Sequence, residues 1–187
     1  MDEKKIEIEI RGYKFWLFTK AGVFSSKALD EGTRLLLDNL EVKDHTVIAD
    51  LGAGSGVVSF VAARLNKDGH VHALEDHVRS FELLERNVLE NRLEKKVEVF
   101  LSDLFSAVGD RTYHQILSNP PQQLGNEFLE ELTQACFDHL KEQGEVWMVV
   151  KNNVKPFMKR TLESLFSDVT IVAQSREYAL LKGVRGG

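Results

Sequence analysis

The chain has 187 residues, 43% hydrophobic and 28% charged, enough apolar content for one globular domain with a full core and a seven-stranded α/β sheet. No apolar run approaches the roughly 20 residues that span a bilayer, and the opening Met1-Asp2-Glu3-Lys4-Lys5 lacks the apolar stretch of a signal peptide, so a cytoplasmic location is expected. A net charge of −5 excludes a protein that grips nucleic acid with its whole surface, and a single cysteine, Cys136, excludes an internal disulfide or a cysteine-built zinc site.

Ile6, Ile8 and Ile10 alternate with glutamates, Arg11-Gly12 makes a turn, and Phe15, Leu17 and Thr19 alternate on the return, which predicts a hairpin. Residues 20–28 read as a loop. Asp30 is the expected N-cap of a helix with Leu35, Leu36, Leu37 and Leu40 on its buried side, and Thr33 and Arg34 lie in its first turns. A buried strand ends at Asp50, glycines follow at 52, 54 and 56, and apolar residues then recur at helical spacing through Leu65. His70 to Glu75 reads as a strand, and Val78 to Leu93 as a helix with Phe81, Leu84, Val88 and Leu89 inward. Strands follow at Val97–Leu101 and Tyr113–Leu117, the second running into Ser118-Asn119-Pro120-Pro121. A helix over 127–141 places Cys136 in the core beside Phe137 and Leu140, and a strand is expected over Val146–Val150. A last helix over 155–166 precedes two strands, 169–173 and 178–181, that should pair as an antiparallel hairpin.

Strands alternate with helices and then two strands come together. This pattern predicts a Rossmann-like α/β fold: a seven-stranded, mostly parallel sheet with one antiparallel strand at its edge, helices on both faces, and the N-terminal hairpin added. Residues 1–28 are the hairpin and loop extension and 29–187 the core of a single domain. Right-handed crossovers place a ligand at the carboxyl ends of the central strands, where strand order reverses. Gly52 to Gly56, Glu75, Asp103 and Asn119 all fall on that rim.

The glycines let the backbone turn tightly and approach a ligand, and the helix behind them points its amides at it. Asp50 would repel a pyrophosphate but suits a ligand carrying an ammonium and a sulfonium. Glu75 can accept both hydroxyls of a ribose. Asp103 can accept from an adenine amino group while the Leu104 amide meets the ring. Asn119 and the Pro120 carbonyl can each accept one N–H of a poorly nucleophilic amine and aim its lone pair at a methyl group, with Pro120 and Pro121 fixing the backbone in advance. Other readings of these residues are a tight turn, solvated charges and caps.

The wording Asp50-x-Gly52-x-Gly54-x-Gly56, with Glu75, Asp103 and Asn119-Pro120-Pro121, resembles the class I S-adenosylmethionine methyltransferases. From about residue 5 to residue 182 the chain is similar to the small-domain group related to the small-subunit ribosomal RNA guanine-N2 methyltransferases. The segment Gly22-Val23-Phe24-Ser25, Leu29-Asp30 and Gly32 belongs to the resemblance and lies over the methionine end of the cofactor in that family. The resemblance implies S-adenosylmethionine as methyl donor and an amine in RNA as acceptor. Asn119, Pro120 and Pro121 form the expected catalytic tripeptide. Phe24, Asp50, Gly52, Ala53, Gly54, Gly56, Glu75, Asp103, Leu104 and Asn119 form the expected donor site.

One departure concerns the acceptor. Where related motifs often place an aromatic residue to stack on a base, this chain has Gln122, which leaves Phe24 as the candidate replacement and Gln122, Lys151 and Phe24 as the expected acceptor contacts. Lys14, Lys20, Lys27, Lys151, Lys155, Lys159 and Arg160 can supply a phosphate-tracking rim, or simply cover solvated faces. His70, His72 and His77 lack metal-pair spacing, and no metal is expected. The rival readings are methylation of a glutamine side chain in a protein, or a non-catalytic partner subunit that binds S-adenosylmethionine or RNA. Whether the chain is a monomer or a homodimer stays open.

Overall fold

Alternation in the first twenty residues produces a two-stranded hairpin of β1 (Glu3–Ile10) and β2 (Tyr13–Lys20). Arg11 and Gly12, both at positive φ (52° and 80°), close it with the turn whose twist matches paired strands. Ile8, Ile10, Phe15 and Leu17 are buried beneath it. The computed structural model describes residues 3–20, 29–121 and 125–187; Phe24, Lys27 and Gln122 therefore lie outside the described residues. The Arg11 guanidinium donates to the carbonyls of Leu37 and Leu40 (3.2 and 2.6 Å), closing the C-terminal end of helix α1 (Glu31–Asn39).

The central sheet contains β3 (Val47–Leu51), β4 (His70–Glu75), β5 (Val97–Leu101), β6 (Tyr113–Ser118), β7 (Leu140–Lys151), β8 (Asp168–Gln174) and β9 (Tyr178–Val184). Its seven strands run in the order β5-β4-β3-β6-β7-β9-β8. All are parallel except β9, which is antiparallel to both β7 and β8. The reversed strand is therefore one place in from the edge rather than on it: β8 returns along the outside because a short turn joins it to β9. Strand order reverses between β3 and β6, and that point sets the rim where the site lies.

Alternate residues of the strands feed two separate cores. Ile48, Ala73, Leu117 and Val149 face α1, α2 (Val57–Leu65), α3 (Val78–Glu90) and the hairpin. Ala49, Leu74, Ile116 and Met148 face α4 (Gly125–Asp138) and α5 (Lys155–Glu163). Cys136 is fully buried in the second core, and burial pushes its thiol pKa far up, as suits a packing residue. Among the described residues no helix is long and apolar enough to cross a membrane.

Three elements differ from the sequence pattern. The helix expected over 127–141 stops at Asp138, since β7 already begins at Leu140 and absorbs a register shift opposite Tyr113 to Gln115. The bend is marked by Gln143 at φ 61°, beside Gly144, where a Cβ would come within 2.8 Å of the Lys141 carbonyl. The helix expected to reach residue 166 stops at Glu163. In α3, Leu89 is 63% exposed rather than inward, and Asn87 is fully buried in its stead. Asn87 and Asn91 occupy the inward stripe because they pair with the free edge of β2. Trp16 N–H donates to Asn91 Oδ1 (2.8 Å) and Asn91 Nδ2 donates back to Trp16 O (2.7 Å). Phe18 N–H donates to Asn87 Oδ1 (2.7 Å), and Asn87 Nδ2 reaches the carbonyls of Ser55 (3.0 Å) and Phe18 (3.4 Å). Two side-chain amides thus act as a third strand for the hairpin.

Candidate active site

The turn after β3 follows from its glycines. Gly52 and Gly54 sit at φ 72° and 55°, where a Cβ is costly, and a Cβ added at either would meet open space or nothing closer than 3.9 Å. Both positions therefore face open space. Gly56 (φ 96°) differs: its Cβ would lie 2.5 Å from Phe60 Cζ and 2.6 Å from Leu84 Cδ1. It serves to seat α2 against α3 and lines neither of the two chambers described next. The amides of Gly52 and Ala53 donate to Leu74 O (2.9 and 3.1 Å), and Gly54 N–H donates to Glu75 Oε2 (2.8 Å). Glu75 Oε1 accepts from His77 N–H (3.1 Å).

Two chambers open on the rim. The first, about 210 Å³, is lined by Glu75, Asp103, Leu104, Asn119, Pro120 and Pro121, with Phe128 of α4. The second, about 170 Å³, is lined by Asp50, Ala53, Gly54, Asp30, Thr33 and Asn119. Gly52 and Asn119 line both and mark where they meet. The expected donor residues described by the structure fall on these two chambers, Gly56 apart. Lys151, at the end of β7, is exposed and lines neither. Of the basic residues expected around the mouth, Lys14 pairs with Glu7, Lys155 with Gln174 and Lys159 with Glu163.

The electrostatics favour a cation in the second chamber. Asp50 is 3% exposed, and burial pushes its pKa up to about 7 against the stabilising bond from Ser59 Oγ (2.6 Å), with the Glu75 carboxylate adding to the rise. Among the described residues, the groups acting on it are the hydroxyl and backbone N–H of Ser59 and the Glu75 carboxylate. Burial also raises Glu75, against the bonds from Gly54 and His77. A ligand with an ammonium or sulfonium near Asp50 and a hydroxylated nucleoside near Glu75 and Asp103 fits this donor set.

Asn119 follows β6, whose end is tied to β3 by Ser118 Oγ donating to Leu51 O (3.3 Å). Its Nδ2 donates to Thr33 Oγ1 (3.0 Å) and Asp30 Oδ1 (3.2 Å). Asp30 caps α1 as expected, accepting from Thr33 N–H (2.8 Å) and Thr33 Oγ1 (2.7 Å). The bond from this cap to Asn119 had no signal in the sequence. Ser102 is a second residue that the sequence did not single out: its hydroxyl donates to Leu104 O (2.9 Å) and accepts from Ala107 N–H (3.0 Å). It holds the loop in which Leu104 stands at φ 46°, a conformation that costs a non-glycine residue and recurs at ligand sites. Tyr178 is a third; its ring packs at Gly32, and burial, then Asp30, raise its pKa.

The Bacillus subtilis protein YbxB is 34% identical over 176 residues, covering 92% of this chain and 87% of that protein. Ribosomal RNA small subunit methyltransferase C of Vibrio cholerae is 30% identical over 181 residues, 95% of this chain but 52% of the relative. The fold matches that of the T. Thermophilus 16S rRNA N2 G1207 methyltransferase in complex with AdoMet and guanosine, with a TM-score of 0.83 at 22% identity, over 98% of this chain and 50% of that one. The chain thus spans about half the length of the named methyltransferases that it matches. The family model described as methyltransferase small domain matches residues 14–182, and the chain belongs to that family.

Proposed function

We propose that this protein transfers a methyl group from S-adenosylmethionine to the exocyclic amine of a guanine in ribosomal or other structured RNA. The observation that carries the reading is Asn119, held by its nitrogen where the two chambers meet. Relatives that act on ribosomal RNA, and a neighbouring fold in complex with AdoMet and guanosine, support the choice of donor and acceptor.

Asp50 and the second chamber hold the amino-acid end of the donor, and Glu75 and Asp103 hold its nucleoside in the first. The donor, when bound, supplies an electrophilic methyl group with its own leaving group. Asn119 Oδ1 and the Pro120 carbonyl accept the two N–H bonds of the acceptor amine, drawing its nitrogen from planarity towards the methyl group. A carbonyl has two lone pairs, so Pro120 can accept this bond beside others. Positioning is the chain's main contribution to rate. Gln122 in the place of an aromatic residue favours a second reading, in which the acceptor is a side-chain amide of a protein.

Isothermal calorimetry with S-adenosylmethionine and its demethylated product tests the donor, and tritiated methyl transfer onto unmodified ribosomal RNA tests the acceptor. Binding of both compounds, with transfer reduced about 10²- to 10³-fold in Asn119→Ala and donor affinity reduced far less, is the expected result. Absence of binding to either compound overturns the reading. Binding with transfer only to protein moves the second reading to first place.

A further inference from the structure

Asn119 can serve as an acceptor only if its amide oxygen, not its nitrogen, faces the amine. The two ends of a carboxamide are nearly the same size, so shape does not choose between them; the hydrogen-bond partners do. Both partners of Asn119 are restricted. The Asp30 carboxylate has no proton to give when ionised. The Thr33 hydroxyl has one, and it is spent on Asp30 Oδ2 at 2.7 Å. Towards Asn119, Asp30 Oδ1 and Thr33 Oγ1 are therefore two acceptors, 3.2 and 3.0 Å from the same nitrogen. A flipped amide would lose both bonds and press its oxygen against two lone pairs.

We propose that Asp30 and Thr33 are positioning residues that fix the amide of Asn119 with its nitrogen turned to α1 and its oxygen left for the acceptor amine. This rests on the methyl-transfer reading above and adds to it a pair of residues from another element of the fold. The tether also polarises the amide: hydrogen bonds donated to an anion draw electron density towards the carbonyl oxygen, which makes Oδ1 a better acceptor. The nitrogen of Asn119 is engaged with two acceptors, so its oxygen is the end left for the acceptor amine.

The tether depends on where α1 sits. Gly32 makes this possible, because a Cβ there would lie 2.9 Å from Val149 Cγ1 and 3.2 Å from both Asp30 Oδ1 and Tyr178 Cδ1. The first turn of α1 is pressed onto β7 and β9 with no room for a side chain. Ser175 Oγ donates to the Glu31 carboxylate from the turn between β8 and β9 and holds the same end of the helix.

Thr33→Val tests the proposal, since it keeps the shape and removes the hydroxyl, while Asp30 substitutions also remove the cap of α1. Thr33 lines the second chamber, so donor affinity is measured beside turnover. The expected result is a kcat lower by on the order of tenfold with donor Kd changed less than about twofold, and recovery in Thr33→Ser. In the Asn119→Ala background, Thr33→Val should change kcat by less than about twofold, because a residue that acts through Asn119 has nothing left to act on. An equal loss in both backgrounds overturns the proposal. Nitrogen-15 spectra of the Asn119 side-chain amide give a readout independent of turnover. Slow proton exchange in the wild type, lost in Thr33→Val, supports the tether even where no acceptor is methylated; equal exchange in both proteins sinks it.

Discussion

On the β4 side of the rim, Gly52 and Ala53 donate to Leu74 O and Gly54 donates to Glu75, so three successive backbone amides hold the turn. On the β6 side, Asn119 is held by side chains alone, from residues 89 and 86 positions earlier in the chain. The first arrangement survives most changes of side chain, because a backbone amide is present whatever residue bears it. The second depends on the rotamers of Asp30 and Thr33 and on the seat of α1. The first side is fixed by backbone amides bonded to the end of the neighbouring strand, and the second by side-chain contacts with α1.

The largest expected effect separates two glycines within the backbone-held half. Gly56→Ala places a methyl group 2.5 Å from Phe60 and 2.6 Å from Leu84, both fully buried, at φ 96°. The left-handed conformation costs about 1–2 kcal/mol and overpacking about 1–3 kcal/mol more, which predicts a loss of about 2–5 kcal/mol in denaturant unfolding. Gly52→Ala meets no atom within 4 Å and should cost about 1–2 kcal/mol while weakening donor binding in calorimetry, since its methyl group enters both chambers. If Gly52→Ala binds the donor normally, the turn is a structural feature and the comparison between the halves fails.

Next comes the titration of Asp50. Its carboxyl ionises near 3.8 in an unfolded chain and near 7 in the fold. Below 3.8 it is protonated in both states; between the two values the unfolded chain ionises while the fold retains the proton, so stability falls as pH rises from about 3.8 and the loss is complete above about 7. The loss is up to about 4 kcal/mol. Stability measured from pH 4 to 8 should flatten in Asp50→Asn by that amount. A bound cation favours the ionised form, so donor affinity in the wild type should rise with pH through about 7. A donor affinity that is flat over this range separates Asp50 from the cation.

These contrasts also explain what could be read in advance. The glycine turn, the acidic strand ends and the strand–helix alternation were legible because each is a local pattern: Gly52 to Gly56, Glu75, Asp103 and Asn119 fall on the rim once alternation and crossover hand set the topology. Asp30 was legible as a cap but not as a partner of Asn119, because nothing in a helix N-terminus tells which strand end it will meet. Asn87 and Asn91 carried no inward signal, since polar residues on a helix ordinarily face water. Leu89 was placed inside for the converse reason. What overrode periodicity was the free edge of β2, whose amides and carbonyls needed partners that a leucine cannot supply.

The smallest effects come from that edge, and they test whether the hairpin supports the glycine turn or only shelters the core. Asn87 bonds to Phe18 of β2 and also donates to Ser55 O in the turn, whereas Asn91 bonds to Trp16 and to Asn87 O of its own helix. Asn87→Ala leaves the buried Ser55 carbonyl and the Phe18 amide without these partners and should cost about 2 kcal/mol, at about 1 kcal/mol per group. Asn91 is partly exposed, so water replaces part of what it gives, and Asn91→Ala should cost about 1 kcal/mol or less. The two variants should differ in kind as well as size. Because only Asn87 reaches the turn, Asn87→Ala should weaken donor binding in calorimetry while Asn91→Ala leaves it unchanged. Equal donor affinity in both variants would mean that the backbone bonds to Leu74 and Glu75 hold the turn unaided, which is the stronger form of the difference between the two halves of the rim.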